Sequence, residues 1–373
     1  MSTHEACPLC RALAPEVFFE STLGWRVRSD WVPQAGNVSI FRCAQCGHLF
    51  KDAATVRANS EYQAYDVFST RADRDKVEFG EHATITRSQA IVAYLTRHNA
   101  TDGSPVLDFG CHRGAFLALL GAGHAGYDVS ERYRPIIEGL GDGFYTPERP
   151  PPRRAFRLLT LVHVLEHLVD IEADLRAGLE ALTPGAGVFV QVPNAIMQPT
   201  DLYVADHRHH FTTPTLNLAL SRLGWHPVAG PESVVAGELS ALYRQGAQGS
   251  PSDAARDGFT DGLLARLRAG ESLLQRCAVA ASSYAVYRAG LLGSLVASVL
   301  GPRAEAFVDD NPALHGQALL GRSVVALDAL PRAMPIVVAV PPSVAGRVAA
   351  RARAAGHEVH CPFAELPEAV LGS

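Results

Sequence analysis

Between residues 105 and 244, short apolar runs alternate with stretches of helical spacing. Val106-Leu107-Asp108-Phe109, Ala125-Gly126-Tyr127-Asp128-Val129, Leu158-Leu159-Thr160-Leu161-Val162 and Val188-Phe189-Val190-Gln191-Val192 are mostly apolar, as strands covered on both faces are. Their alternation with helical stretches predicts β-α-β units around a mainly parallel sheet. A second alternation follows a long amphipathic helix expected over 253–282. It comprises Tyr284-Ala285-Val286-Tyr287, Ala306-Phe307-Val308-Asp309, Ile336-Val337-Val338-Ala339-Val340 and a helix over 347–355, a second α/β unit. Before residue 51 the pattern is different: Val17-Phe18-Phe19 and Val38-Ser39-Ile40-Phe41 are set among Gly and Pro, as in small β-ribbons. From 56 to 99, Ile85, Ala90, Ile91, Tyr94 and Leu95 recur at helical spacing, which predicts a helical connector. Gly246-Ala-Gln-Gly-Ser-Pro-Ser252 has linker composition. The boundaries expected are therefore 1–55, 56–100, 101–245 and 253–373.

Composition narrows the function classes. A chain of 373 residues, 47% hydrophobic and 19% charged, has the material for two or three packed cores and is not a disordered polymer. A formal net charge of −5 leaves no basic footprint, so neither nucleic acid nor an anionic membrane surface is the expected partner. No run reaches the roughly 18–20 apolar residues that cross a bilayer, and the chain does not open with a basic-then-apolar signal. A cytoplasmic protein acting on a small molecule is the expectation. The oligomeric state is not readable from the sequence.

Four of the seven cysteines form two pairs, Cys7-Pro-Leu-Cys10 and Cys43-Ala-Gln-Cys46. Two Cys-x-x-Cys knuckles supply four thiolates, which closes a tetrahedral zinc site and leaves no position for substrate, so the metal would be structural. A small β module needs such a staple in place of the core it cannot build. Buried or redox thiols are the alternative. In the second unit, Val106 to Gly114 place an acidic residue at a strand end, then a tight turn at Gly110-Cys111-His112-Arg113-Gly114. Such a turn lets a ligand approach backbone at the carboxyl edge of a parallel sheet. Asp128 ends the next strand about 20 residues on, where a carboxylate accepts hydrogen bonds from ribose hydroxyls. An adenosine is the expected ligand, with Asp108, Gly110, Cys111, His112, Gly114, Asp128, Val129 and His163 as its candidate contacts.

These residues resemble the first motif of the Rossmann-like S-adenosylmethionine-dependent methyltransferases, an acidic residue followed by glycines at alternate positions. Asp108, Gly110 and Gly114 match it, and His112 stands where most members have Gly. Histidine is among the residues enriched at positive φ, so the tight turn can survive the change. One subgroup, the zinc-containing sugar C-methyltransferases of deoxysugar biosynthesis, has Asn there. That subgroup also carries an N-terminal four-cysteine module and a C-terminal α/β domain, so the resemblance covers nearly the whole chain. Tyr62 and Tyr65 fall in a stretch like its Tyr-x-x-Tyr-x-x-Phe-Ser-Ser segment, which contacts cofactor and substrate. Val308-Asp309-Asp310-Asn311-Pro312 is close to its C-terminal signature. His163-Val164-Leu165-Glu166-His167 and Pro193-Asn194 fit methyltransferases in general.

Asp206-His207-Arg208-His209-His210-Phe211-Thr212 precedes a helix expected over 215–223, at the edge where the active site of such a sheet opens. The subgroup reads Tyr-x-Glu-His-Phe-Ser here, and its His is the proposed base. The resemblance thus gives His210 the base position, with His209 in place of Glu and His207 in place of Tyr. Forming a carbon–carbon bond at a sulfonium methyl needs a carbanion equivalent, and an imidazole can take a proton α to a carbonyl near neutral pH. Tyr62, Tyr65, His207 or His209 would hold the enolate oxygen. The residues by themselves also allow His210 to position the following helix, or the three imidazoles to bind a metal. Tyr287-Arg288-Ala289-Gly290-Leu291-Leu292-Gly293 resembles a nucleotide turn with Arg in place of a glycine.

The fold class expected is therefore α/β: an N-terminal zinc-binding β module, a central Rossmann-like methyltransferase domain and a C-terminal second α/β domain. The function expected is S-adenosylmethionine-dependent methylation of a small molecule, by the resemblance at carbon on a nucleotide-linked keto-deoxysugar. O- or N-methylation of another natural-product intermediate is the alternative within enzymes, and a non-catalytic binding protein the alternative outside them.

Overall fold

The computed structural model describes residues 5–13, 15–56, 77–79, 84–246, 259–280 and 282–363. The chain divides into two compact units that are discontinuous in sequence. The first holds Met1–Glu16, Arg42–Asn194 and Arg208–Arg256; the second holds Val17–Phe41, Ala195–His207 and Asp257–Ser373. This grouping differs from consecutive domains. Both cysteine pairs go with the first unit, while the segment between them goes with the last third of the chain.

The first unit is built on a seven-stranded sheet of β1 (Val106–Phe109), β2 (Ala125–Tyr127), β3 (Gly143–Tyr145), β4 (Phe156–Val162), β5 (Leu182–Pro193), β6 (Trp225–Glu232) and β7 (Glu238–Gln245). The order is β3-β2-β1-β4-β5-β7-β6, with the first five parallel and β7 antiparallel to both its neighbours. The four apolar runs of the sequence are the cores of β1, β2, β4 and β5. Five helices accompany them: α1 (Arg87–Arg97), α2 (Leu117–Leu120), α3 (Arg134–Gly139), α4 (Ile171–Glu180) and α5 (Thr213–Arg222).

Helix α1 forms where the spacing predicts, burying Ala90, Ile91, Tyr94 and Leu95. It is started by a capping box in which Thr86 and Gln89 satisfy each other's backbone N–H groups. Ile85 is not on it. It lies in the short strand Thr84–Thr86 and is exposed, because the cap fixes the helix start after it. The helix after the Gly110–Gly114 turn is a single turn, stopped by Gly121 at φ +89°. Ile91, Tyr94, Val106, Leu158, Phe189 and Leu242 make one core, and Cys111, Leu117, Tyr133, Ile137 and Phe144 another.

The second unit has a six-stranded sheet of β8 (Tyr284–Tyr287), β9 (Ala304–Val308), β10 (Ala318–Leu319), β11 (Arg322–Val325), β12 (Ile336–Val338) and β13 (Val359–His360), in the order β10-β11-β9-β8-β12-β13. All pairs except β10–β11 are parallel. Helices α6 (Phe259–Val279), α7 (Leu291–Leu300) and α8 (Pro342–Ala354) belong to it. So does the hairpin of Trp25–Val27 with Pro33–Ala35. Among the described residues, no helix is long and apolar enough to cross a membrane.

Candidate active site

Strands β1 and β4 are neighbours, yet the chain passes through β2 and β3 on one side before returning to form β4 and β5 on the other. The crevice beyond the carboxyl ends of β1 and β4 is therefore the topological switch point, where open α/β sheets bind ligands. Parallel register sets Thr160 beside Asp108, and its hydroxyl donates to Asp108 Oδ1 at 2.6 Å. The Asp108 carboxyl is buried. Burial raises its pKa to about 7, opposed by the Thr160 bond and reinforced by the charge of Asp128.

The turn that follows is left-handed at three of its five positions: Gly110 (φ +81°), His112 (φ +48°) and Gly114 (φ +72°). A Cβ at 110 would stand 2.6 Å from Val164 Cγ2, and one at 114 would stand 2.6 Å from Ile137 Cδ1, so both positions need glycine. His112 takes the left-handed conformation that histidine tolerates, with its ring against Tyr133 at 4.3 Å between centroids. Burial lowers its pKa to about 4, and Arg113 and Arg132 add to this.

Asp128 fastens this turn to β2. Its Oδ2 accepts the backbone N–H of His112 at 3.0 Å and its Oδ1 accepts that of Ser130 at 2.9 Å. An ionised carboxylate has about four acceptor sites, so two bonds leave capacity for hydroxyl donors. Burial lifts the Asp128 pKa to about 6 against the pull of these N–H bonds and of Arg132. Cys111 turns inward: its backbone N–H donates to Tyr127, and a Cβ on Gly126 would meet its Sγ at 2.5 Å. Its thiol belongs to the core, and burial pushes its pKa well up. Val129 is half-buried beside Asp128.

Across from the turn, the chain leaves β4 at His163, whose φ is +55° and whose N–H donates to Gln191 O at 2.8 Å. The next residue, Val164, is the one packed over Gly110. His163 Nδ1 stands 2.9 Å from Glu166 Oε1, and its Nε2 3.2 Å from Glu238 Oε1. Arg87 approaches that same Glu238 oxygen at 3.3 Å. Burial and Arg87 press the imidazole toward neutrality, but Glu238 and Glu166 outweigh them and raise its pKa above the ordinary histidine value. Arg87 and Glu238 were not picked out from the sequence. Glu238 left one trace there, a charged residue opening an apolar run, and it is buried.

The three imidazoles of the 206–212 stretch have different surroundings. His207 belongs to the second unit, where its Nδ1 lies 2.6 Å from Asp201 Oδ1. His209 and His210 form a two-residue strand antiparallel to Leu49–Phe50. Just before it, the Arg208 N–H donates to Glu166 O at 2.7 Å, so this strand runs beside the turn that follows β4. His209 must donate from Nε2 to the Leu168 carbonyl at 3.0 Å. Its Nδ1 is then bare and accepts from His48 Nε2, also at 3.0 Å. Burial first and Arg208 second lower its pKa to about 3, so it is neutral. His210 is enclosed, with Nε2 3.1 Å from Lys51 Nζ. Tyr62 and Tyr65 lie outside the described residues.

Cys7, Cys10, Cys43 and Cys46 come together with all four sulfurs within 4.8 Å of one another. The Cys7–Cys46 and Cys10–Cys43 sulfur separations are 3.7 and 3.4 Å. Tetrahedral zinc with bonds of 2.3 Å sets its sulfurs about 3.8 Å apart, far beyond a disulfide bond, so the cluster fits the metal. The two knuckles have the same backbone. Arg11 N–H returns to Cys7 O and Gly47 N–H to Cys43 O, each at 2.9 Å, with Arg11 and Gly47 both at positive φ.

Residues 81–229 match the family described as a methyltransferase domain. No curated protein matches the chain. Among solved structures, it is similar to an S-adenosylmethionine-dependent methyltransferase from Mesorhizobium loti, at 16% identity over 42% of this chain and 98% of that one, with a TM-score of 0.36. It is also similar to the 1,6-didemethyltoxoflavin-N1-methyltransferase of Burkholderia thailandensis, at 18% identity over 55% and 99%, with a TM-score of 0.38. On the family match, this chain carries a methyltransferase domain over residues 81–229.

Proposed function

We propose that the enzyme methylates a small molecule, with the methyl donor held in the crevice beyond β1 and β4. The observation that carries this reading is the Gly110–Gly114 turn, kept open by glycine at its two crowded positions and clamped to β2 by Asp128. In that place Asp128 accepts ribose hydroxyls and the bare turn lets the donor lie against backbone, with Gly110, His112 and Gly114 beneath it. S-adenosylmethionine supplies an electrophilic sulfonium methyl when bound. Calorimetry with S-adenosylhomocysteine tests the reading, and protein that gives neither heat nor a thermal shift would sink it. Zinc at the four cysteines is structural in this reading, because every coordination position is a protein sulfur.

The finer reading is C-methylation of a nucleotide-linked keto-deoxysugar. It is supported by the four-cysteine cluster and by the histidine strand beside the turn after β4. By the resemblance, His210 is then the base. Enzyme without donor would exchange the acceptor's α-hydrogen with deuterium oxide, and His210→Asn would abolish the exchange; retained exchange would remove His210 from that role. O- or N-methylation is the second reading, favoured by His209. Both its ring nitrogens are occupied by Leu168 and His48, so it offers no group to an enolate where the sugar enzymes have Glu. Product mass spectrometry showing the methyl on oxygen or nitrogen would establish that reading.

A further inference from the structure

We propose that His163, oriented by Glu166, takes the acceptor's proton on Nε2 as the methyl is transferred. The inference rests on the methyl-transfer reading and competes with His210 for the same proton.

Three observations carry it. The first is place: His163 leaves the carboxyl end of β4, one residue before the Val164 side chain that closes on Gly110. It therefore borders the crevice on the side opposite Asp128. The second is arrangement. Glu166 Oε1 stands 2.9 Å from Nδ1, at ion-pair distance though outside hydrogen-bonding geometry, so its charge holds that side of the ring and leaves Nε2 as the working atom. Nε2 is buried, and Glu238, although 3.2 Å away, does not meet it in hydrogen-bonding geometry. Nε2 thus has no hydrogen-bond partner among the described residues, and a buried polar atom left unpaired calls for a partner that a ligand atom can supply. The third is charge. The groups facing the ring are Glu166 from its own turn, Glu238 from β7 and Arg87 from α1. Two carboxylates against one guanidinium favour the imidazolium that proton uptake produces. His210, in contrast, presents Nε2 to the Lys51 amine at 3.1 Å.

In the step, the acceptor's X–H bond breaks and its proton goes to His163 Nε2. The X–CH₃ bond forms as the S–CH₃ bond breaks, the S–C electron pair stays on sulfur, and a neutral thioether leaves. The proton then passes to water, so each turnover releases one proton.

The test is a nitrogen-15 NMR titration of the His163 ring in the full chain, assigned with His163→Asn, using S-adenosylhomocysteine and sinefungin as probes. Sinefungin carries an ammonium where the transferable methyl sits; S-adenosylhomocysteine carries nothing there. A base facing that position gains a like charge in the sinefungin complex, so its midpoint falls by about half a pH unit or more relative to the S-adenosylhomocysteine complex. Glu166→Gln lowers the midpoint in all three states. Equal midpoints in the two complexes, or a ring that stays charged to pH 9, would overturn the proposal. Protein that binds neither probe would instead defeat the methyl-transfer reading.

Discussion

Asp108→Asn separates the charge of the buried carboxyl from its shape. Asn has the same size, and its carbonyl can accept the Thr160 hydroxyl that now donates to Oδ1. What it lacks is the negative charge that burial disfavours. The folded-state pKa is about 7 against 3.8 for the unfolded chain, so the folded protein binds this proton more tightly than the unfolded one. Stability from this group is therefore greatest below pH 3.8 and is lost as pH rises toward 7. Roughly three pH units at 1.36 kcal/mol each come to about 4 kcal/mol of destabilisation at pH 8. The new amide N–H₂ offsets part of the gain, by about 1–3 kcal/mol if it finds no acceptor. A net stabilisation of about 2 kcal/mol at pH 8 raises the melting temperature by roughly 4–8 °C for a unit of this size. The assay is thermal unfolding of both proteins from pH 4.5 to 8.5. The variant melts higher at pH 8, the advantage shrinks as pH falls, and S-adenosylhomocysteine stabilises it less than it stabilises the parent. A variant that melts lower at pH 8, or a difference that does not change with pH, would refute the reasoning.

Gly114→Ala combines left-handed strain with a Cβ 2.6 Å from Ile137 Cδ1; a loss of about 2–4 kcal/mol in urea unfolding and at least a tenfold weaker S-adenosylhomocysteine complex by calorimetry are expected. Gly126→Ala clashes with Cys111 Sγ at 2.5 Å, so it costs about 1–3 kcal/mol alone and less when combined with Cys111→Ala, a coupling of about 1 kcal/mol readable from a double-mutant cycle. One zinc per chain is expected by metal analysis, and Cys43→Ser is expected to abolish it and lower the melting temperature, as is a strong chelator on the parent protein; parent protein that carries no zinc would refute the structural-zinc reading.

The features legible in the sequence were local ones. The four short apolar runs set among helical stretches became β1, β2, β4 and β5, and the acidic residue followed by Gly at 110 and 114 became a tight turn, whereas the Thr86–Gln89 cap that starts α1, equally local, was not picked out. Paired Cys-x-x-Cys spacing likewise writes each knuckle into adjacent residues, and the structure brings the two knuckles together. What the sequence could not contain is which distant groups meet. The carboxylates around His163 come from three residues downstream and from β7, the guanidinium from α1. His48 and Lys51 reach His209 and His210 through pairing of Leu49–Phe50 with residues 209–210. His207, two positions from His209 in the chain, goes to another compact unit. Strand and turn propensity acts over a few residues, so it is written in order along the chain. Charge, burial and proton affinity depend on whatever the fold sets within a few ångströms, and that was decided only by how the strands paired.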